Sequence, residues 1–264
     1  MLQEYGLSPL HQLGQNFLHD HNILNKLVDS SGVTEGDVVL EVGPGTGALT
    51  EVLLDRGCNV YACELDRGLT ELLKNRFGNS INLIHGDVLT RKRLNQSVVE
   101  AIGNQKWKLV ANLPYQIASP LIVDVLANHQ NCLGQYVTIQ YEVALRLMAE
   151  VDSSDWGVLS ILVQRLSNIS LITKVPKTCF WPQPKITSAC VSITPKTDRD
   201  KNCSDEFNKF VTMLFSKRRK QLGSILGRDL EYPIGILPSV RPSTLTIDQL
   251  ELLYEVVKIS TGET

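Results

Sequence analysis

The chain has 264 residues, of which 43% are hydrophobic and 20% are charged, and its formal net charge is −2. This composition is typical of a globular protein with a sizeable core and excludes intrinsic disorder. The longest apolar runs, such as 159–163, are far shorter than the ~20 residues that span a bilayer. The N-terminus shows no basic stretch followed by an apolar one, which a secretory signal requires. We therefore expect a cytoplasmic protein.

The cysteines also favour a cytoplasmic protein. The chain has six of them, with no CxxC pair and no histidine at the spacing of a zinc site. We therefore expect reduced thiols in the core and no metal ion.

Charge is distributed unevenly along the chain. Between Lys174 and Lys220 there are 11 basic and 4 acidic residues, a net charge of +7, whereas the remainder carries −9. An acidic body with one basic segment favours a local anionic partner over a generally adhesive surface.

The hydrophobic pattern predicts alternating strands and helices up to residue 140. Strands are predicted at 37–42, 59–63, 81–84, 107–111 and 135–140, and helices at 48–54, 65–77, 94–102 and 120–127. This alternation indicates βαβ units, and so an α/β fold with a mainly parallel sheet.

The pattern changes after about residue 150. A helix is predicted at 156–166, and two β-rich runs, 169–175 and 186–193, would add antiparallel strands to the sheet edge. A polar linker at 194–204 precedes amphipathic helices at 207–215 and 247–257. We expect a larger domain at 1–199 and a small all-helical domain at 200–264.

In a parallel sheet, ligands bind beyond the carboxyl ends of the strands. The first such end carries Glu41 and a glycine loop with Gly43, Gly45 and Gly47, which lets the backbone approach a ligand at a helix N-terminus. The second predicted strand ends in Glu64, a carboxylate that can accept hydrogen bonds from ribose hydroxyls. The same glycine spacing also fits a dinucleotide site, so an NAD-dependent dehydrogenase is an alternative.

The residues at the later strand ends argue against an NAD site. Asp87 can accept a hydrogen bond from an adenine amino group, and Val88 can cover the ring. After the fourth strand come Asn112, Leu113, Pro114 and Tyr115, where the proline stiffens the turn. The backbone carbonyls and the Asn112 side-chain oxygen can then converge as acceptors beside the flat face of the tyrosine.

These motifs resemble those of the ribosomal RNA adenine N6,N6-dimethyltransferase family, most closely its bacterial small-subunit branch, over nearly the whole chain. The glycine loop, Glu64, Asp87 and the Asn-Leu-Pro-Tyr string match in family order. Leu-Gly-Gln-Asn-Phe-Leu at 13–18, Phe-Trp-Pro-Gln-Pro-Lys at 180–185 and the basic run at 217–220 match further family elements. Two departures, Gln116 and Tyr141, concern contact with RNA more than chemistry.

The resemblance implies a Rossmann-like class I methyltransferase domain with S-adenosylmethionine as its cofactor. It assigns the cofactor site to His11, Gln15, Asn16, Leu18, Glu41, Gly43, Gly45, Gly47, Glu64, Leu65, Asp87, Val88 and Asn112. It assigns catalysis to Asn112, Leu113, Pro114, Tyr115 and Phe180, whose ring would stack on the target base. It assigns RNA binding to Lys185 and to a helix carrying Lys217, Arg218, Arg219 and Lys220.

The implied activity is methyl transfer to the N6 amino groups of adjacent adenosines in a hairpin loop of small-subunit (16S) rRNA during ribosome biogenesis. We expect a monomer that acts on RNA in a partly assembled subunit and has no membrane partner. Two further alternatives are a non-catalytic rRNA-binding assembly factor and a large-subunit rRNA methyltransferase that confers macrolide resistance.

Overall fold

The structure is a computed structural model that describes residues 7–10, 14–197 and 205–261. It divides into two compact units, one formed by Met1–Ala144 and Ser167–Thr197 and the other by Leu145–Leu166 and Asp198–Thr264. Within the described ranges, no helix combines the length and the apolar character needed to cross a bilayer.

The described residues form strands β1 to β11. Their bounds are β1 (Phe17–Leu18), β2 (Val38–Val42), β3 (Asn59–Glu64), β4 (Asn82–His85), β5 (Leu89–Thr90), β6 (Arg93–Leu94), β7 (Trp107–Asn112), β8 (Cys132–Gln140), β9 (Ser167–Val175), β10 (Phe180–Trp181) and β11 (Ser188–Pro195).

Helices α1 to α10 accompany them. Their bounds are α1 (His21–Ser31), α2 (Ala48–Asp55), α3 (Arg67–Phe77), α4 (Gln96–Ile102), α5 (Tyr115–Asn128), α6 (Tyr141–Leu147), α7 (Val158–Leu166), α8 (Asp205–Ser216), α9 (Leu222–Ile225) and α10 (Ile247–Thr261). Short 3₁₀ turns lie at Gly78–Ser80, Lys177–Cys179 and Pro242–Thr244.

A seven-stranded sheet forms the centre of the first unit, in the order β4-β3-β2-β7-β8-β11-β9. The pairs from β4 to β8 are parallel, whereas β11 pairs antiparallel with both β8 and β9. The predicted parallel sheet with an antiparallel edge is therefore confirmed. All residues of β2 are buried, as expected of a central strand covered on both faces.

The strand order reverses between β2 and β7, which are direct neighbours although the chain visits β3 and β4 between them. Crossover connections leave on opposite sides at such a point, so a crevice opens outside the carboxyl ends of the two strands. Glu41 near the end of β2 and Asn112 at the end of β7 are thereby brought to one crevice.

A two-residue bridge between β1 and β10 ties the N-terminal segment to the first unit. Phe17 pairs with Trp181, and Leu18 pairs with Phe180. Paired side chains share a face and successive ones alternate. Leu18 and Phe180 accordingly enter the core, with only 4% and 3% of their surfaces exposed, while Trp181 turns outward and is 52% exposed.

The second unit has its own core, and its described residues form helices and no strands. Trp156 and Ile161 pack there with Phe207 and Val211 of α8. The structure thus divides the chain differently from the expected 1–199 and 200–264, because the buried face of α7 contributes to the helical core. The functional assignment of the two domains stays a prediction.

The basic run at 217–220 is not helical, which corrects our expectation. Helix α8 ends at Ser216, and the next residues form turns in which Lys217 and Arg218 bond the carbonyls of Leu214 and Phe215. The Arg218 guanidinium is half-buried and donates to the carbonyls of Ser153 and Ser154 at 3.2 and 3.1 Å. Lys217, Arg219 and Lys220 are exposed.

Candidate active site

A cavity of about 230 Å³ lies at the carboxyl edge of the sheet, in the first unit. A bulk water occupies only ~30 Å³, so the space suits an organic ligand. Its walls include most of the residues that the sequence singled out, namely Gln15, Asn16, Leu18, Glu41, Gly43, Gly45, Glu64, Leu65, Asp87, Val88, Asn112, Leu113, Pro114 and Tyr115. His11 lies outside the described residues.

Two glycines of the loop after β2 are required by close contacts. Gly43 has φ +67°, and a Cβ there would lie 3.3 Å from Pro114 Cγ. Gly45 has φ +61°, and its Cβ would lie 2.7 Å from Phe17 Cδ1. Side chains at either position would meet both steric and conformational strain, so the loop stays bare toward the cavity.

Gly47 does not line the cavity; it is the N-cap residue of α2, with φ +86°. A Cβ there would lie 2.4 Å from Cε2 of Phe77. The packing of α2 against α3 therefore requires this glycine, and its contact with the cofactor stays a prediction.

Glu64 is buried, and its carboxylate is held by backbone donors. Gly45 N donates to Oε2 at 3.2 Å and Asp66 N to Oε1 at 2.9 Å. Burial raises the pKa of the Glu64 carboxyl, and these N–H donors oppose that rise. Each carboxylate oxygen keeps capacity for a second hydrogen bond, so the group can still accept from ligand hydroxyls.

Glu41 is buried beneath the glycine loop and accepts a hydrogen bond from Thr50 Oγ1 at 2.6 Å. Burial raises the pKa of Glu41 from its ordinary value of 4.5 to about 8; the Thr50 bond opposes this rise and the Glu64 charge adds to it. Glu41 is therefore mostly protonated at neutral pH and supports the loop without adding a second full charge beside Glu64.

Asp87, Val88 and Leu65 form the part of the cavity expected to hold a ring. Asp87 Oδ1 accepts from Leu89 N at 2.9 Å, which fixes the carboxylate at the end of β4. Val88 is buried, whereas Leu65 is 48% exposed although it lines the cavity. An exposed leucine at a cavity wall offers an apolar face for a flat ring.

The N-terminal segment lies across the cavity and is tied down by side chains. Gln15 donates from Nε2 to Asp66 Oδ2 at 3.1 Å and accepts from Leu10 N at 2.8 Å. Asn16 donates from Nδ2 to the carbonyl of Gly14 at 3.0 Å. Gln15 and Asn16 therefore shape the segment, and both line the cavity as expected.

Asn112 is oriented by this segment. Its Nδ2 donates to the backbone carbonyl of Asn16 at 3.0 Å, so its Oδ1 points the other way. Among the described residues, this Oδ1 is one of four buried side-chain polar atoms without a hydrogen-bond partner, and of these it alone belongs to a cavity-lining residue. An unpaired buried acceptor costs roughly 1–3 kcal/mol, which a ligand donor would offset.

Leu113 and Tyr115 complete the motif. Leu113 N donates to the Thr138 carbonyl at 3.1 Å, which extends the pairing of β7 with β8. The Tyr115 hydroxyl shares a 2.8 Å hydrogen bond with Ser188 Oγ on β11. Burial raises the pKa of Tyr115 despite that bond, so the phenol stays neutral. Pro114 is the N-cap residue of α5, which explains why this helix begins five residues before the predicted start.

Phe180 does not line the cavity. Its ring is 3% exposed and packs in the core, and its stacking on the target base stays a prediction. Lys185 is exposed outside the cavity, and its carbonyl accepts from Lys177 Nζ. Tyr141 is one of the two residues that depart from the family pattern. The Lys174 ammonium lies over its ring, 4.4 Å from the ring centroid.

Sequence reasoning missed Phe17, Thr50 and Ser188, which support the glycine loop, Glu41 and Tyr115 respectively. Phe17 lies within the motif at 13–18, so its place at the cavity could have been inferred from that motif. Thr50 and Ser188 reach their partners through tertiary packing and carry no local signal.

Glu41 gives a pH prediction for the protein without ligands. Its folded pKa lies above that of the unfolded chain, so its contribution to stability is fully present below pH 4.5 and is lost as pH rises through about 8. Glu41→Gln cannot ionise, so its unfolding free energy relative to wild type should rise by on the order of a few kcal/mol between pH 5 and 8. Urea unfolding across this range measures it; parallel pH curves for the two proteins would contradict it.

Five described cysteines, at 58, 63, 132, 179 and 190, are buried, and none of them forms a disulfide. In the part of the chain that the structure describes, no group of three His, Cys, Asp or Glu side chains is placed to hold a metal ion.

Comparison with known proteins identifies the family of the chain. The profile of the ribosomal RNA adenine dimethylase family matches residues 9–248. The chain is 34% identical to ribosomal RNA small subunit methyltransferase A of Prosthecochloris aestuarii, over 94% of this chain and 93% of the relative. It is 36% identical to the protein of the same name from Alkaliphilus oremlandii, over 96% and 93%.

Solved structures show the same fold. A dimethyladenosine transferase from Plasmodium falciparum superposes with a TM-score of 0.75 and 25% identity, covering 93% of this chain and 98% of that one. The 23S rRNA methyltransferase ErmE superposes with a TM-score of 0.64 and 22% identity, over 92% and 100%. The Rossmann-like methyltransferase fold is confirmed, and the chain belongs to the ribosomal RNA adenine dimethylase family.

Proposed function

We propose that this enzyme transfers methyl groups from S-adenosylmethionine to the N6 amino groups of adjacent adenosines in a hairpin loop of small-subunit (16S) rRNA. The product is N6,N6-dimethyladenosine, formed in the cytoplasm during ribosome biogenesis by a monomer. The observation that carries the proposal is the buried, unpartnered Oδ1 of Asn112 in the cavity wall. The names of the small-subunit relatives support the choice of RNA.

The residues present fit the cofactor. The bare loop at Gly43 and Gly45 admits a ligand backbone, and Glu64 offers a buried carboxylate to the ribose hydroxyls. Asp87 and Val88 line the same cavity, and we assign them to the adenine ring. When bound, S-adenosylmethionine supplies an electrophilic methyl group on a sulfonium.

Asn112 supplies a hydrogen-bond acceptor that makes the target nitrogen a better nucleophile. An adenine amino group is a poor nucleophile because its lone pair is delocalised into the ring. In the first transfer, if Asn112 Oδ1 and the Leu113 carbonyl accept hydrogen bonds from its two N–H groups, the nitrogen is drawn toward tetrahedral geometry and its lone pair becomes available. In the second transfer, the monomethylated nitrogen keeps one N–H for such a bond. The same acceptors stabilise the positive charge that develops on that nitrogen, and they are already oriented by the fold.

Tyr115 holds the base rather than moving a proton. Its hydroxyl is engaged with Ser188 and its phenol is neutral, so the ring face is the useful part. The base must leave its stack to reach the cavity, and an aromatic face lowers the cost of that step. The alkylated nitrogen is strongly acidic and can lose its proton to solvent, so no dedicated base is required.

Direct methyl transfer tests the function. Unmethylated small ribosomal subunits would be incubated with the protein and radiolabelled S-adenosylmethionine, and the product nucleosides separated. We expect label in N6,N6-dimethyladenosine. Transfer to large-subunit RNA instead would favour the macrolide-resistance activity, and tight subunit binding without transfer would favour an assembly factor. Sedimentation of the protein tests the monomer.

Glu64→Ala should weaken S-adenosylmethionine binding at least tenfold. Hydrogen bonds from hydroxyls to a charged acceptor contribute roughly 1.5–3 kcal/mol each, and the variant removes the acceptor. Calorimetric titration measures the affinity, and a thermal melt shows that the variant is folded. Unchanged affinity in folded protein would remove Glu64 from the cofactor site.

The basic turn should contact phosphates. Lys217→Glu combined with Arg219→Glu should weaken binding to small subunits and flatten its dependence on salt, by roughly 0.7–0.9 in logarithmic slope per lost phosphate contact. Arg218 is left intact because its hydrogen bonds stabilise the turn.

The matched control is Lys209→Glu with Arg228→Glu, which reverses two exposed charges of the same unit. Filter binding at several salt concentrations compares the two double variants. Equal loss in both would mean that the basic turn has no specific role.

A further inference from the structure

A stacked aromatic pair stands beside the cavity. Phe17 and Trp181 are cross-strand partners, with ring centroids 6.5 Å apart and planes inclined by 21°. Trp181 is 52% exposed, whereas Trp107 and Trp156 are 3% and 1% exposed. Tryptophan is enriched at binding interfaces because it offers a large apolar face with a polar edge, and here the ring is also held in place by its stack on Phe17.

The pair connects the cavity to the surface. The Phe17 ring lies against Gly45 of the glycine loop and lines the cavity. The preceding residue, Asn16, holds the Asn112 amide. Trp181 does not line the cavity and is separated from it by Phe17, so its outer face presents the next stacking surface outward.

The chain segment that carries Trp181 is positively charged. From Lys174 to Thr187 the chain has three lysines and no acidic residue. Lys174 and Lys185 are exposed, and Lys177 donates its Nζ to the carbonyl of Lys185 across the loop that carries Trp181. A flat aromatic face among lysines matches an unpaired nucleotide, since the base stacks and the phosphates meet the ammonium groups.

We propose that Trp181 is a stacking platform for an unpaired RNA base that flanks the nucleotide entering the cavity. This inference rests on the proposed function, because it requires an RNA substrate. The flanking base is assigned rather than the target base because Asn112 and Tyr115 line the cavity and Trp181 does not. A flanking base stacked on Trp181 would help to keep the RNA loop open while the target base is extruded.

Kinetics on small-subunit RNA tests the platform. Trp181→Ala and Trp181→Leu should each raise the KM for RNA roughly 5- to 100-fold, as expected for loss of one base–aromatic stack, without changing S-adenosylmethionine affinity. Trp181→Phe keeps a flat face and should stay within about threefold of wild type. Leu133→Ala is the matched control, since Leu133 is 48% exposed and lies at the amino end of β8, at the opposite sheet edge.

Fluorescence gives a readout that does not depend on catalysis. Trp107 and Trp156 are buried, so acrylamide quenching reports mainly Trp181, and RNA should protect it. An unchanged KM in folded Trp181→Ala, or no protection by RNA, overturns the platform. If wild-type protein transfers no methyl group to RNA, the proposed function fails, and the protection experiment alone then decides the platform.

Discussion

The hydrogen bond from Asn112 Nδ2 to the Asn16 carbonyl is the interaction on which the site depends. It joins residues 96 positions apart and leaves Oδ1 as a buried acceptor without a partner in the protein. Burying an unpaired acceptor is unfavourable, and the surrounding fold retains it because Asn16 is itself fixed through Gly14 and the β1–β10 bridge. In the proposed function, a substrate amino group that binds there would offset this cost.

The sheet topology explains why one asparagine can serve this purpose. The reversal between β2 and β7 places the glycine loop and the Asn112 turn side by side. Pro114 lies so close to Gly43 that a side chain at Gly43 would meet it. In the proposed function, these neighbouring strand ends hold the methyl donor and the amino group that attacks it. The N-terminal segment packs against the same site, through Phe17 on Gly45 and Gln15 on Asp66.

Electrostatics divides the site into two parts. The proposed cofactor half contains the buried carboxyls of Glu41 and Glu64, with the pKa of each raised by burial. The proposed substrate half contains the neutral acceptor of Asn112 and the aromatic face of Tyr115. This division suits a reaction between a cationic methyl donor and a neutral amine, delivered by a polyanion.

Much of the fold follows from local sequence signals. The predicted strands at 37–42, 59–63 and 107–111 agree with β2, β3 and β7 to within a residue or two, because buried parallel strands read as short apolar runs between glycine-containing turns. The cavity residues at the strand ends followed from the same reasoning. Their positions relative to the sheet are fixed by the parallel topology.

The remaining features depend on tertiary contacts that no local pattern encodes. Phe180 and Trp181 are adjacent aromatics, and only the register of β10 against β1 decides which one is buried. The residues 145–166 read as a continuation of the first domain, yet Trp156 and Ile161 complete the helical core. The run at 217–220 has good helix formers, but Arg218 bonds the carbonyls of Ser153 and Ser154 instead.

Single-turnover kinetics of Asn112→Ala with saturating S-adenosylmethionine tests the central claim most directly. The acceptor is proposed to act best as the target nitrogen becomes tetrahedral, so its removal should lower the rate of methyl transfer by on the order of 10²-fold or more. Binding of cofactor and of RNA, measured separately, should be retained. A rate near that of wild type in folded Asn112→Ala would contradict the account, because the buried oxygen would then have no part in the reaction.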